Sequence, residues 1–264
     1  MSAKMMVNQL QDGSCAKKLG KNILFFHEVD STNMLAKKLA MCGAHEGTVI
    51  VAETQTRGQG RLGREWSSPT GGLWFSIILR PKAPPTEAAK LTFVAGLAVA
   101  NVLGEVFGLK VETKWPNDVL VNGRKICGIL TEMNTTSETV NFVVVGIGVN
   151  ANFDVEKVFP ESLRKVATSL ENELGRKVQL EELLRALLER LENLYELFKR
   201  EGFNPILKEW KKYARFLGCQ VEAISTAEKL RGLALDVNHE GALVIGLADG
   251  TIKRVFSADT SVRL

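Results

Sequence analysis

Three short stretches of this chain carry residues suited to chemistry on an anionic ligand. The first runs Arg57-Gly58-Gln59-Gly60-Arg61-Leu62-Gly63-Arg64. Its three glycines let backbone N–H groups approach a ligand, and its three guanidinium forks match carboxylate or phosphate. Formally the loop contains G-x-G-x-x-G after a strand, but a dinucleotide fold requires that motif to open a helix. Here Arg64-Glu65-Trp66-Ser67-Ser68-Pro69 turns and feeds a second strand, so the Rossmann reading fails on context. The kinase signatures that would accompany a glycine-rich loop are missing, and there is no Walker A sequence. A solvated hairpin with basic decoration is the plain alternative.

The second stretch is Lys114-Trp115-Pro116-Asn117-Asp118, followed by a hairpin that carries Lys125. A strand ending in a Trp-Pro corner can aim Asn117 and Asp118 at a ligand, with Lys125 on the next strand as a compact positive charge. An exposed polar hairpin would contain the same residues. The third is Gly146-Ile147-Gly148-Val149-Asn150, where glycines within a strand mark close approach of a ligand or neighbour, or else a bulge.

These stretches need elements to position them. Ile23–Phe26 reads as a strand, and Asp30-Ser31-Thr32 offers N-cap side chains to a helix running towards Met41. Thr48–Glu53 is a β-branched strand leading into the arginine loop. Leu73–Leu79 is an apolar run, as expected of a strand covered on both faces. Thr86 can cap a long helix through Val106. Val111–Trp115, Val119–Val121, Ile126–Met133 and Phe142–Val149 read as strands, the middle two joined by the hairpin signal Asn122-Gly123. Glu181–Phe198 places Leu184, Leu187, Leu188, Leu191, Leu194 and Phe198 on one helical face, and Asn204-Pro205 starts a further helix. After Ala214 come short strands, Val221–Ile224, Gly232–Val237, Ala242–Leu247 and Ile252–Phe256, divided by turns at Asn238–Gly241 and Asp249-Gly250. The expectation is an α/β domain followed by a small β-barrel.

Composition narrows the function. With 45% hydrophobic and 24% charged residues, the 264-residue chain can bury a real core. A net charge of +4 suits nucleotides but is too small for a nucleic-acid footprint. From residue 214 onward six basic residues face six acidic ones, so that segment is no electrostatic grip on DNA. No apolar window of membrane-span length is expected, and Met1–Val7 does not read as a signal peptide, which points to the cytoplasm. Cys15, Cys42, Cys127 and Cys219 are scattered, as are His27, His45 and His239, so a disulfide framework, zinc hydrolysis and a histidine triad lack support.

In order along the chain, several motifs resemble biotin protein ligases. They are Val29-Asp30-Ser31-Thr32-Asn33, Ala52–Trp66, Lys114–Asp118, Lys125 with Cys127-Gly128-Ile129-Leu130, Gly146–Asn150 and Ala167-Thr168-Ser169-Leu170. The resemblance covers residue 23 to the C-terminus. It implies a mixed sheet flanked by helices, related to class II aminoacyl-tRNA synthetases, over 23–213, with an SH3-like barrel over 214–264 after an extension of 1–22.

It also implies that biotin is activated with ATP to biotinyl-5′-AMP and passed to a lysine of a biotin carboxyl carrier domain, with Mg²⁺ assisting. Ser31, Thr32, Asn33, Gln55, Gly58, Arg61 and Lys125 would bind biotin; Arg61, Arg64, Trp66, Asn117, Asp118, Asn150 and Arg263 would serve the nucleotide; Lys125 and Arg61 would be catalytic. No metal ligands are assigned, and a homodimer is left open. Gln59 stands where many members carry a basic residue, and Ser257–Arg263 departs from the usual closing pattern, which weakens the assignment of Arg263. About twenty residues precede the first strand, too few for the winged helix of bacterial repressor members, so no DNA binding is expected. Lipoate–protein ligase and a non-catalytic biotin or nucleotide sensor are the rival readings.

Overall fold

The structure is a computed structural model that describes residues 18–136, 138–224 and 229–256, and the backbone of 261–263. Seven strands form the larger sheet. Their order is β1 (Asn22–Val29), β2 (Thr48–Gln55), β3 (Leu73–Leu79), β7 (Val140–Val149), β6 (Arg124–Thr135), β5 (Asp118–Val121) and β4 (Val111–Lys114). Helix α1 (Thr32–Met41) crosses between β1 and β2, which makes that pair parallel; the other neighbours are antiparallel.

The two-residue period of a strand decides which side chains meet which layer. Ile50, Ile78 and Val144 face Ala36 and Ala40 of α1. Val49, Val51, Ile77 and Val145 point the other way, into the main core. That core is roofed by α3 (Leu91–Glu105), α7 (Leu180–Glu201) and α8 (Phe203–Lys211). All seven residues of β3 are buried, as its unbroken apolar run predicts.

Four expectations need correction. Asn204-Pro205 does not open α8, which begins at Phe203 with Gly202 at its N-cap. Ser31 occupies the N-cap of α1, but its hydroxyl makes no capping bond. Thr86 does not cap one long helix: a short α2 (Pro85–Ala88) starts with proline at its first turn, and α3 follows after a break at Ala89-Lys90. The Pro85–Glu105 stretch does meet the length and composition of a membrane span, and 72% of it is buried within the fold, as a core helix would be.

The smaller sheet is antiparallel, in the order β11 (Ile252–Val255), β10 (Leu243–Gly246), β9 (Lys229–Val237), β8 (Gln220–Ile224) and β12 (Ser261–Arg263). Its inward residues Val221, Ala234, Val237, Leu243 and Ile245 belong to the same apolar core as Trp210 and Phe216. The expected boundary near residue 214 thus lies between α8 and β8, and the core runs across it.

Polar contacts also cross: Lys211 pairs with Asp236 at 2.6 Å, and the indole N–H of the buried Trp115 donates to the carbonyl of Gly241, 3.0 Å away, in the turn between β9 and β10. Trp115→Phe keeps an aromatic ring there but strands a buried carbonyl. The expected cost is about 1–2 kcal/mol, and calorimetry should show a melting temperature lower by roughly 3–6 °C. An unchanged melt would mean that this bond contributes nothing.

Candidate active site

The three chemical stretches converge on one cavity of about 550 Å³ that reaches from the start of α1 across β7 and β6 to the corner between β4 and β5. The arginine loop folds over it as a tight hairpin. Trp66 N–H donates to the Gly58 carbonyl at 2.9 Å, and Gly60 N–H donates to the Arg64 carbonyl at 2.7 Å. Its tip is one 3₁₀ turn, Arg61–Gly63, with Leu62 and Gly63 in the left-handed region at φ 59° and 70°. No α-helix follows, in keeping with the failed Rossmann reading. Arg61 and Arg64 line the cavity. Arg57 instead lies outside, 3.4 Å from Asp30.

One end of the cavity is uncharged and rich in hydrogen-bonding groups. Ser31, Thr32 and Asn33 come from the start of α1, and Gln55 from the end of β2. Gln55 Oε1 accepts from the Thr32 N–H at 2.8 Å, and Gln55 Nε2 donates to Ser68 Oγ at 2.7 Å, which fixes the amide's orientation. Behind them, Ser76 Oγ lies 2.7 Å from Thr32 Oγ1 and 2.6 Å from Asn33 Oδ1. Asn33 Nδ2 donates to the Leu130 carbonyl at 3.1 Å and to Glu132 Oε2 at 2.9 Å, and Glu132 Oε1 pairs with Lys37 at 2.6 Å.

The other end is charged. Lys125 Nζ sits 2.7 Å from Asp118 Oδ1 and 5.0 Å from the centre of the Trp66 ring. Asp118 Oδ1 makes no directed hydrogen bond, so the contact is a Coulombic pair. Arg61 Nη1 donates to Asn117 Oδ1 at 3.2 Å, while Asn117 Nδ2 donates to the Ile129 carbonyl at 2.8 Å. The backbone of Lys125 is clamped by the segment before α6 (Leu170–Leu174), which follows the one-turn helices α4 (Val155–Val158) and α5 (Glu161–Arg164). Lys125 N–H donates to Val166 O at 2.8 Å, and Thr168 N–H donates to Lys125 O at 2.9 Å. This clamp accounts for the Ala167–Leu170 motif. Cys127 lies nearby, but burial pushes its thiol well above the usual range, so it offers no thiolate nucleophile.

The strand glycines have a definite task. A Cβ on Gly148 would lie 2.7 Å from Trp66 Nε1, one on Gly128 2.9 Å from the same ring, and one on Gly146 2.1 Å from Asn33 Oδ1. Pairing through 146–148 is regular, so they allow close approach rather than mark a bulge.

Of the residues expected at the site, Ser31, Thr32, Asn33, Gln55, Arg61, Arg64, Trp66, Asn117, Asp118 and Lys125 share this cavity. Gly58 lies beneath the loop, with room only for hydrogen: a Cβ would sit 2.3 Å from Trp66 O. Asn150 is buried behind Lys125, where its Nδ2 donates to Thr168 O at 2.9 Å, and it does not line the cavity. The Arg263 side chain lies outside the described residues. Sequence reasoning missed Ser76, Glu132 and Trp74. Ser76 had a usable signal as the lone polar residue in the apolar run Leu73–Leu79, since a buried hydroxyl needs partners.

Residues 25–150 match the biotin/lipoate A/B protein ligase family. The bifunctional ligase/repressor BirA of Bacillus subtilis is 36% identical over 257 residues, covering 97% of this chain and 78% of that one. The biotin–[acetyl-CoA-carboxylase] ligase of Paracoccus denitrificans is 36% identical over 82% of this chain and 90% of its own. Among solved structures, the biotin protein ligase from Aquifex aeolicus in complex with biotin and ATP aligns with a TM-score of 0.80 at 32% identity, covering 92% of this chain and 99% of that one. The chain belongs to the biotin/lipoate protein ligase family, and its mixed α/β fold is the one read from the sequence.

The seating of Trp66 is open to a double-mutant cycle. Gly148→Ala should displace the ring and lower stability by about 1–3 kcal/mol, as overpacking does. In a Trp66→Ala background the three atoms nearest the added methyl are gone, and most of that cost should vanish. Equal costs in both backgrounds, read by chemical denaturation, would show that the indole does not depend on the glycine.

Proposed function

We propose that this protein activates biotin with ATP, forming biotinyl-5′-AMP and pyrophosphate, and then transfers biotin to a lysine of a biotin carboxyl carrier domain. The observation that carries the reading is one cavity with a hydrogen-bonding, uncharged end at Thr32 and Gln55 and a cationic end at Arg61 and Lys125. The first end suits a ureido ring, and the Ser31 hydroxyl is free of a capping role and can turn to donate to the ureido carbonyl. The second suits a carboxylate and a phosphate that must be brought together against their mutual repulsion.

In the first step a carboxylate oxygen attacks the α-phosphorus, its bond to pyrophosphate breaks, and an acyl phosphate anhydride forms. Lys125 and Arg61 offset the charge that gathers on the oxygens, and Asn117 holds the guanidinium in place. In the second step a neutral lysine amine attacks the acyl carbon, AMP departs, and the amine gives up a proton. The hairpin over the cavity keeps water from the anhydride. Among the described residues no cluster of three metal-ligating side chains occurs, so Mg²⁺ would arrive on the ATP phosphates rather than in a protein cage.

Lipoate would leave the polar groups at Thr32 and Gln55 facing a dithiolane that cannot pair with them, a mismatch that such sites reject strongly. The presence of both Arg61 and Lys125 favours turnover over sensing alone. Incubation with ATP, a carrier domain, and labelled biotin or lipoate separates the three readings. A cytoplasmic location agrees with the free cysteines Cys42, Cys127 and Cys219. The balanced charge of residues 214–264 favours no nucleic-acid role.

Lys125→Ala should lower the single-turnover rate of pyrophosphate release by roughly a hundredfold or more. The fold should lose little, because the Lys125–Asp118 pair is partly exposed. Lys125→Arg should recover only part of the rate, since a planar fork does not replace a compact ammonium. Near-normal release by the alanine variant would remove Lys125 from the mechanism.

The loop offers a second test. Leu62 is 47% exposed at a tip flanked by glycines, so ligand contacts should order it further. Saturating biotin plus ATP should slow tryptic cleavage at Arg57, Arg61 and Arg64 severalfold; equal rates with and without ligand would count against closure.

A further inference from the structure

Behind the uncharged end of the cavity lies a continuous chain of polar groups, Lys37–Glu132–Asn33–Ser76–Thr32, whose proton directions can be worked out. Glu132 is paired with Lys37 at 2.6 Å and accepts from Asn33 Nδ2 at 2.9 Å. The Leu130 carbonyl accepts from the same nitrogen, so the Asn33 oxygen must face Ser76. Asn33 Oδ1 can only accept, and Ser76 has one proton, which therefore goes to Asn33 across 2.6 Å. The 2.7 Å contact between Ser76 Oγ and Thr32 Oγ1 also needs a proton between its oxygens, and only Thr32 can supply it. The other protein group near Thr32 Oγ1 is Gln55 Oε1 at 3.1 Å, again a pure acceptor. In either arrangement the Thr32 proton stays within the protein, and a lone pair is left for the cavity.

We propose that Ser76, Asn33 and Glu132 are positioning residues that set the polarity of the Thr32 hydroxyl, so that this end of the cavity accepts N–H donors and rejects isosteric acceptors. The proposal rests on the biotin reading above, in which the donor is a ureido N–H. Ser76 and Asn33 are almost fully buried, so no solvent competes to reorient either group. Gly146 completes the device: a side chain there would strike Asn33 Oδ1 at 2.1 Å and break the relay at its middle.

The test compares ligands rather than absolute affinities, because simple loosening weakens all ligands alike. Calorimetric titrations of the full chain would use biotin and the two cyclic carbamates in which one or the other ureido N–H is replaced by a ring oxygen. In the unaltered protein at least one carbamate should bind about a hundredfold or more weakly than biotin. In Ser76→Ala the Thr32 proton keeps only the longer 3.1 Å contact with Gln55 Oε1 and turns to the cavity more readily, so that ratio should shrink about fivefold. Glu132→Gln, on a partly exposed side chain where the fold has little at stake, should shrink it about threefold by loosening the Asn33 orientation. Proportional weakening of biotin and carbamates in both variants would overturn the relay. A protein that binds no biotin at all would overturn the function on which it rests.

Discussion

The constraint on which the site depends is the missing side chains of Gly128, Gly146 and Gly148 on adjacent strands β6 and β7. Three absent methyl groups let an indole ring and a carboxamide lie directly on the sheet, at distances that a Cβ would bring to between 2.1 and 2.9 Å. Once Trp66 rests there, its edge meets Trp74 at 6.2 Å between ring centres, and its face takes the Lys125 ammonium at 5.0 Å. The carbonyl of Trp66 lies where a Gly58 side chain would be, so the base of the arginine loop is set by the same contact. Sheet, loop and cation are thus located relative to one another by packing, before any ligand is present.

Electrostatics then acts on a frame already fixed. Lys125 has three weak holds on its charge, Asp118 at 2.7 Å without a directed hydrogen bond, the π-face of Trp66, and partial access to water. None of them is hard to exchange, because the ion pair lacks a directed hydrogen bond and the cation–π contact is weak where water still reaches the ammonium. Its backbone, in contrast, is clamped by Val166 and Thr168, with Asn150 behind. A rigid main chain under a readily transferred ammonium is the arrangement expected of a group that meets an anion only during reaction, since its position costs nothing further to organise.

Legibility in the sequence followed the range of each interaction. The hairpin at Asn122-Gly123 was plain because both residues must take positive φ, 50° and 73°, and the chain signals that locally. The β3 run, α7 and the strands after Ala214 were plain from periodicity. Four short pieces were not: α2 and the one-turn helices α4 to α6 lack the length for a 3.6-residue period to register. The cavity's chemical stretches could be named from residue types, but not joined, because Thr32, Ser76 and Glu132 lie on α1, β3 and β6 and meet only through sheet order. Ser31 shows the opposite error. A serine before a helix reads as a cap, yet its hydroxyl is spared that role at the one place where a ligand would use it.

The smaller sheet also bears on the site, through the corner at Lys114–Asp118. Asn117 and Asp118 must point inward, so something must hold Trp115 from the other side. The Gly241 carbonyl does so at 3.0 Å from Trp115 Nε1, in a turn where Asn238 Oδ1 accepts from the Glu240 and Ala242 N–H groups at 3.0 Å each. Gly241 itself has φ 82° and sits against Phe93, whose ring packs 5.0 Å from that of Trp210. The apolar core is continuous from those rings into β8 to β11. Removing or loosening this sheet would therefore expose Trp210 and Phe216 and also release the corner that aims Asn117 at Arg61 and Asp118 at Lys125, so the C-terminal segment is part of what shapes the cavity.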